Sequence, residues 1–111
     1  MTPYIPKQGD IITMDFDPQV GFEQSGRRPA LVISNEMYNR HCKMAIVCPI
    51  TNTDKNHAFH VKLNDEIKTT GVILCDQVRT LDVIARNAAY KEFMSDDILC
   101  EVIDLICSFI E

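Results

Sequence analysis

Short apolar blocks separated by polar punctuation occupy residues 10 to 85, and a helical period takes over after residue 95. Asp10 to Phe16 reads as a first strand. Pro29 to Ile33 reads as a second, apolar on both faces as a buried central strand should be. Pro29 suits the first position of a strand, where no ladder donor need be missing. Ser34 to Arg40 follows as a short helix near residues 35–41, with Ser34 or Asn35 as its cap. Lys43 to Pro49 is a third strand running into Ile50-Thr51, and Asn52 to Asn56 is a polar loop. His57 to Leu63 alternates: Phe59, Val61 and Leu63 point one way, His60 and Lys62 the other, giving a strand with one wet face. Thr70-Gly71 makes a bend. Val72 to Cys75 is a buried strand, Asp76 to Arg79 interrupts it, and Leu81 to Ala85 is a further strand candidate. The pattern predicts a mainly β chain with minor α, folded as a small, strongly curved antiparallel barrel.

The final segment predicts a helix near residues 95–110. Ser95 is its N-cap candidate, and Asp96 and Asp97 sit where the helix dipole favours negative charge. Ile98, Leu99, Val102, Ile103, Leu105, Ile106, Phe109 and Ile110 make a wide apolar stripe. Two readings fit it: a helix lying across the barrel, or one that also meets a second subunit.

The longest connection between predicted strands is Asp17 to Arg28. Hairpin loops usually take about 2–5 residues, and longer structureless ones tend to be functional. This one holds Glu23, Gln24, two glycines and the adjacent Arg27 and Arg28. A buried strand therefore starts with an arginine at its mouth and an acidic, glycine-bearing flap above it, which marks the candidate active site.

With 111 residues, the chain suits one domain spanning 1–111. No apolar run approaches the roughly 20 residues that cross a bilayer, and the N-terminus lacks the apolar core of a signal peptide. Five cysteines without close pairs argue against a disulfide framework or a zinc site, and predict reduced thiols in a cytoplasmic protein. The net charge of −5 disfavours a polyanion partner at first sight. However, the 11 basic and 11 acidic residues of positions 1–94 cancel, and Asp96, Asp97, Glu101, Asp104 and Glu111 carry the whole excess. The neutral body can still be steered onto nucleic acid by local arginines.

His57 and His60 point to opposite faces of a strand and His41 stands alone, so no metal ligand set presents itself. No phosphate-loop or dinucleotide signature occurs. What remains are polar residues at strand ends: Arg28, Thr51, Asp76, Gln77, Arg79 and Arg86. Gathered on one rim, they suit a phosphodiester. A guanidinium holds two non-bridging oxygens, a carboxylate takes a proton from an attacking hydroxyl, and a threonine donates to the charge building on phosphorus oxygens. Each also has a plain structural alternative. Arg28 can be a surface cation, Thr51 a turn opener, Asp76 and Arg79 an ion pair, Gln77 a backbone-satisfying amide, and Glu23 a solvated loop residue.

Three segments carry a family resemblance: GDIITMDFDPQVGFEQSGRRPALVIS (Gly9 to Ser34), CPIT (Cys48 to Thr51) and TTGVILCDQVRTLDVIAR (Thr69 to Arg86). In order and spacing they resemble the MazF/PemK (Kid) family of toxin endoribonucleases. The resemblance implies an SH3-like antiparallel β-barrel of the CcdB/Kid type and a homodimer. It also implies cofactor-free, metal-independent cleavage of single-stranded RNA by its own 2′-hydroxyl, and inhibition by a cognate MazE-like antitoxin peptide. Position by position, Arg28 matches the catalytic arginine and Thr51 the catalytic threonine or serine. Glu23 matches an acid needed by some members and is a candidate general base, and Asp76 matches the aspartate proposed as base in the Kid branch. Gln24, Arg27, Gln77, Arg79 and Arg86 fall where relatives contact RNA. Phe22 and Leu74 depart from the Kid branch, which has histidine and arginine there, so that branch's acid–base scheme does not transfer whole.

Two other classes bear on the same fold. A gyrase poison of the CcdB type would end in Trp-Gly-Ile, whereas this chain ends Cys107-Ser108-Phe109-Ile110-Glu111 and has no tryptophan. A plain SH3-like binding module would line a groove with aromatics, and here they are scattered.

Overall fold

The computed structural model describes residues 3–16, 26–53 and 59–110. Its strands are β1 (Asp10–Asp15), β2 (Arg27–Val32), β3 (Ala45–Thr51), β4 (His60–Lys62), β5 (Val72–Leu74), β6 (Arg79–Leu81) and β7 (Ala89–Phe93). Helix α1 (Glu36–Cys42) follows β2, and α2 (Asp96–Ser108) closes the chain. All strand pairs are antiparallel, in the order β4-β5-β3-β2-β1-β7, with β6 also on β3. Among the described residues these ladders form an open path rather than a closed ring. The β-dominant class, the short helix and the C-terminal helix are as the pattern predicted.

The central strands are apolar on both faces because both faces are covered. Ile11, Leu31, Cys48, Ile50 and Ile73 pack under α2, against Ile98, Leu99, Val102 and Ile106. On the other face, Ile12, Met14, Phe16, Ala30, Val32, Ala45, Val47, Leu81 and Val83 form a second core, flanked by Tyr4 and Ala88. The α2 stripe is therefore largely used within the chain. Its C-terminal end differs: Phe109 and Ile110 are exposed, and the Phe59 ring stands edge-on to Phe109 with centroids 5.2 Å apart.

Local chemistry fixes the ends of these elements. Asn35, the cap of α1, accepts a hydrogen bond from the Tyr38 amide, and Lys43 ends the helix in the left-handed region. The N-terminal arm is held by Asp10, a buried carboxylate that accepts from the Tyr4 hydroxyl and from the Lys7 amide at 2.9 Å. Cys48 and Cys75 are core residues, and burial pushes the Cys75 thiol up to about 12 and the Cys48 thiol higher still. Cys42, Cys100 and Cys107 are exposed.

Two elements differ from the expectation. Residues 81–85 are not a strand: β6 ends at Leu81, and Asp82 turns the chain by accepting from the Ala85 amide at 3.0 Å through its side chain and from the Arg86 amide at 3.1 Å through its carbonyl. Asn87, at φ 58°, completes the reversal. Strand β7 then pairs with β1 across a bulge between Ile11 and Ile12. Four of its five residues are exposed, so it carries no alternation to read.

Candidate active site

Strand β3 changes partner along one edge. It pairs with β6 from Ala45 to Val47, then with β5 at Ile50 and Thr51. Cys48 and Pro49 lie in the gap, which is where a proline lacking an N–H does least harm to a ladder. The chain crosses this gap in a 3₁₀ turn, Cys75–Gln77, packed against β3. That turn lifts Asp76 into solvent while Cys75 drops into the core. Pro29 obeys the same logic although it is the third residue of β2, because β2 pairs with β3 only from Ala30 onward.

Ala30 pairs with Pro49 where the β2–β3 ladder begins, and Arg28 and Thr51 each lie two residues beyond that pair. Directly opposed residues share a face. Arg28 is opposed to Met14, and Arg79 to Val47, both Met14 and Val47 belonging to the second core. Thr51 has the same parity as Val47 on β3. The three residues therefore lie on the sheet face turned away from α2, with Arg79 about 13 Å along β3 from Thr51 at ordinary strand rise. Asp76, Gln77, Val78 and Arg79 line a cleft of about 240 Å³ beside them. A larger cleft, about 640 Å³, lies between the N-terminal arm and α1, and none of Arg28, Thr51 or Asp76 lines it.

Thr51 is 6% exposed, and its hydroxyl accepts from the Thr53 amide at 3.2 Å. Its backbone is set by Gly71: a Cβ on Gly71 would stand 2.2 Å from the Thr51 carbonyl oxygen, and Gly71 has φ +114°. Thr70 Oγ1 bonds Asn52 Oδ1 at 2.8 Å, fastening the same turn. One step back, Glu92 on β7 accepts from the Thr69 hydroxyl and from the amides of Lys68 and Thr69. Burial works to raise the Glu92 carboxyl, but these donors outweigh it and hold it below the usual range.

The two neighbouring arginines part company, as successive strand residues must. Arg28 faces the Thr51 side. Arg27 faces the other side, where it bonds Asp15 Oδ1 at 3.2 Å, Thr13 Oγ1 at 3.2 Å and the Asn87 carbonyl at 2.9 Å. Arg86 Nη1 donates to the Asp15 carbonyl at 3.1 Å. Hydrogen bonds from Asn87 and then Arg27 hold the Asp15 carboxyl below its ordinary range. The Phe16 amide donates to the Gly26 carbonyl at 2.9 Å beside this network. Thus Arg28, Thr51 and Arg79 share one sheet face, Asp76, Gln77 and Arg79 line one cleft, and Arg27 and Arg86 both bond to Asp15. Glu23 and Gln24 lie outside the described residues.

Two residues of this face were read from the sequence only as the wet side of a strand. Lys62 pairs with Val72, and Val72 with Thr51, so Lys62 joins the Arg28–Thr51 row. His60, paired with Leu74, shares the face, and its Nε2 stands 3.3 Å from Asp76 Oδ1. Alternation alone assigned both to one side but could not say that this side meets Thr51.

A face that carries two cations, a buried hydroxyl and a carboxylate at its edge suits a phosphodiester. The model of the PemK-like, MazF-like toxins of type II toxin-antitoxin systems matches residues 7–110. The chain belongs to that family. It is 43% identical over 88 residues to the endoribonuclease toxin MazF of Escherichia coli (strain K12), covering 79% of this chain and 78% of the relative. It superposes on MazF from Deinococcus radiodurans with TM-score 0.92 at 37% identity, over 96% of this chain and 97% of the other. The match to a MazE–MazF complex from the same organism has TM-score 0.86 at 37% identity, over 96% of each chain.

Proposed function

We propose that this protein is a sequence-specific endoribonuclease toxin that cleaves single-stranded mRNA in the cytoplasm, without a metal. Supporting this are its family, whose relatives include named endoribonucleases, and above all one observation: Arg28 and Thr51 lie on one sheet face, each two residues beyond the Ala30–Pro49 pair.

The roles follow from the chemistry of the groups. The Arg28 guanidinium takes two non-bridging oxygens of the scissile phosphate and neutralises charge as the phosphorus becomes five-coordinate. Thr51 donates its hydroxyl to the same oxygens. A carboxylate, Asp76 or Glu23, removes the proton of the 2′-hydroxyl. The 2′-oxygen then bonds to phosphorus, the bond to the 5′-oxygen breaks, and that oxygen leaves with a proton from solvent. The products are a 2′,3′-cyclic phosphate and a 5′-hydroxyl. Gln24, Gln77 and Arg79 contact flanking nucleotides, with Arg27 and Arg86 at the base of the loop beside them. The active form is a homodimer, and a MazE-like antitoxin peptide blocks the face, a partner supported by the solved MazE–MazF complex.

The test is incubation of purified protein with single-stranded RNA in EDTA, with mass spectrometry of the fragment ends. Cleavage to cyclic-phosphate and 5′-hydroxyl ends is expected, and a 2′-deoxy nucleotide at the cut should stop it. Intact RNA, or cleavage only with added metal, would contradict the reading.

A further inference from the structure

We propose that His60 is a positioning residue for this reaction: it holds one oxygen of Asp76 so that the other is turned toward the 2′-hydroxyl. The inference rests on the endoribonuclease reading and assigns Asp76 as the base.

The pair is asymmetric in a way that decides which member meets substrate. His60 sits on β4 opposite Leu74, two residues before Asp76, where the 3₁₀ turn bends the chain. The His60 side chain is 10% exposed and that of Asp76 36%. Nδ1 of the imidazole is buried, and Nε2 is the atom 3.3 Å from Asp76 Oδ1. With Nδ1 buried and Nε2 beside Asp76, His60 acts through its neighbour. Asp76, the more exposed member, lines a cleft with Gln77 and Arg79.

An aspartate on an exposed 3₁₀ turn otherwise samples several rotamers. A reacting group displaced by about 1 Å can lose about 100-fold in rate. Fixing Oδ1 through a strand of the sheet removes that freedom, because β4 is itself held to β5, and β5 to the Thr51 end of β3. The base and the phosphate-binding hydroxyl thereby share one rigid frame.

The experiment compares wild type, His60→Ala, Asp76→Asn and the double variant in steady-state cleavage of single-stranded RNA in EDTA, with thermal melts as a folding check. His60→Ala is expected to lower kcat about 10- to 100-fold with KM within about twofold. His60→Gln, whose amide reaches the same carboxylate oxygen, is expected to recover most of that loss. His60→Met fills the volume without a donor and should match alanine, which keeps the test open if the alanine variant melts too low. In the Asp76→Asn background, His60→Ala should change the rate by less than about twofold, since the group it positions is already gone. An equal loss in both backgrounds, a loss confined to KM, or a wild-type rate for Asp76→Asn would each overturn the inference. Inactive wild type would instead overturn the endoribonuclease reading itself, whereas active wild type with an unaffected His60→Ala overturns only the role of His60.

Discussion

Arg28→Ala is expected to lower RNA cleavage by roughly 100- to 1,000-fold or more, the loss typical of removing a donor aimed at transition-state charge. The fold should survive, because Arg28 is a half-buried residue at the mouth of β2 rather than part of either core. Arg28→Lys keeps the charge but not the planar fork, so it should recover little of the loss. Thr51 makes the companion case. It is buried, so Thr51→Val fills the same space without a hydroxyl, while Thr51→Ser keeps the hydroxyl in a smaller residue. Valine should be nearly inactive and serine active. Single-turnover cleavage with circular dichroism on each variant is the check. A folded, fully active Arg28→Ala protein would remove the guanidinium from the mechanism.

Gly71→Ala carries the second large effect, and it acts through backbone alone. The added Cβ would lie 2.2 Å from the Thr51 carbonyl oxygen and 2.8 Å from its carbon, at a φ of +114° that alanine avoids. Backbone atoms cannot rotate aside as a side chain can, so Thr51 must move. Strain together with the displaced strand end should cost about 2–4 kcal/mol. Cleavage should fall further than stability, because the residue pushed is the one that carries the hydroxyl. Gly26→Ala is the internal control. Gly26 also has positive φ, +77°, but among the described residues nothing lies within 4 Å of the added carbon, so the backbone term dominates. Chemical denaturation with parallel cleavage rates separates the two. Equal, small effects at both glycines would show that Thr51 does not depend on the Gly71 approach.

The sequence revealed those features whose physics is local. β1, β2 and β3 were legible because double burial gives each a short apolar block, and α2 because its stripe keeps a helical period. β7 was not legible, since an exposed strand leaves no alternation. Nor was the turn after Leu81, where one Asp82 carboxylate outweighs the β propensity of Val83 and Ile84. At the site, Arg28 and Thr51 were named from strand ends and family motif. That they share a sheet face depends on how β2 and β3 pair, a tertiary fact about strands joined through α1. His60 shows the limit most clearly. Its outward parity on β4 was readable, yet only the pairing of β4 with β5 and the 3₁₀ turn reveals that outward is toward Asp76.

The central claim is that one phosphate is held between Arg28 and Thr51. A crystal structure with an uncleaved single-stranded RNA, bearing a 2′-deoxy nucleotide at the cut, tests it most directly. The account predicts the Arg28 guanidinium and the Thr51 hydroxyl within hydrogen-bonding distance of oxygens on the same phosphorus. A scissile phosphate bound by only one of them, or seated in the cleft between the N-terminal arm and α1, would contradict it.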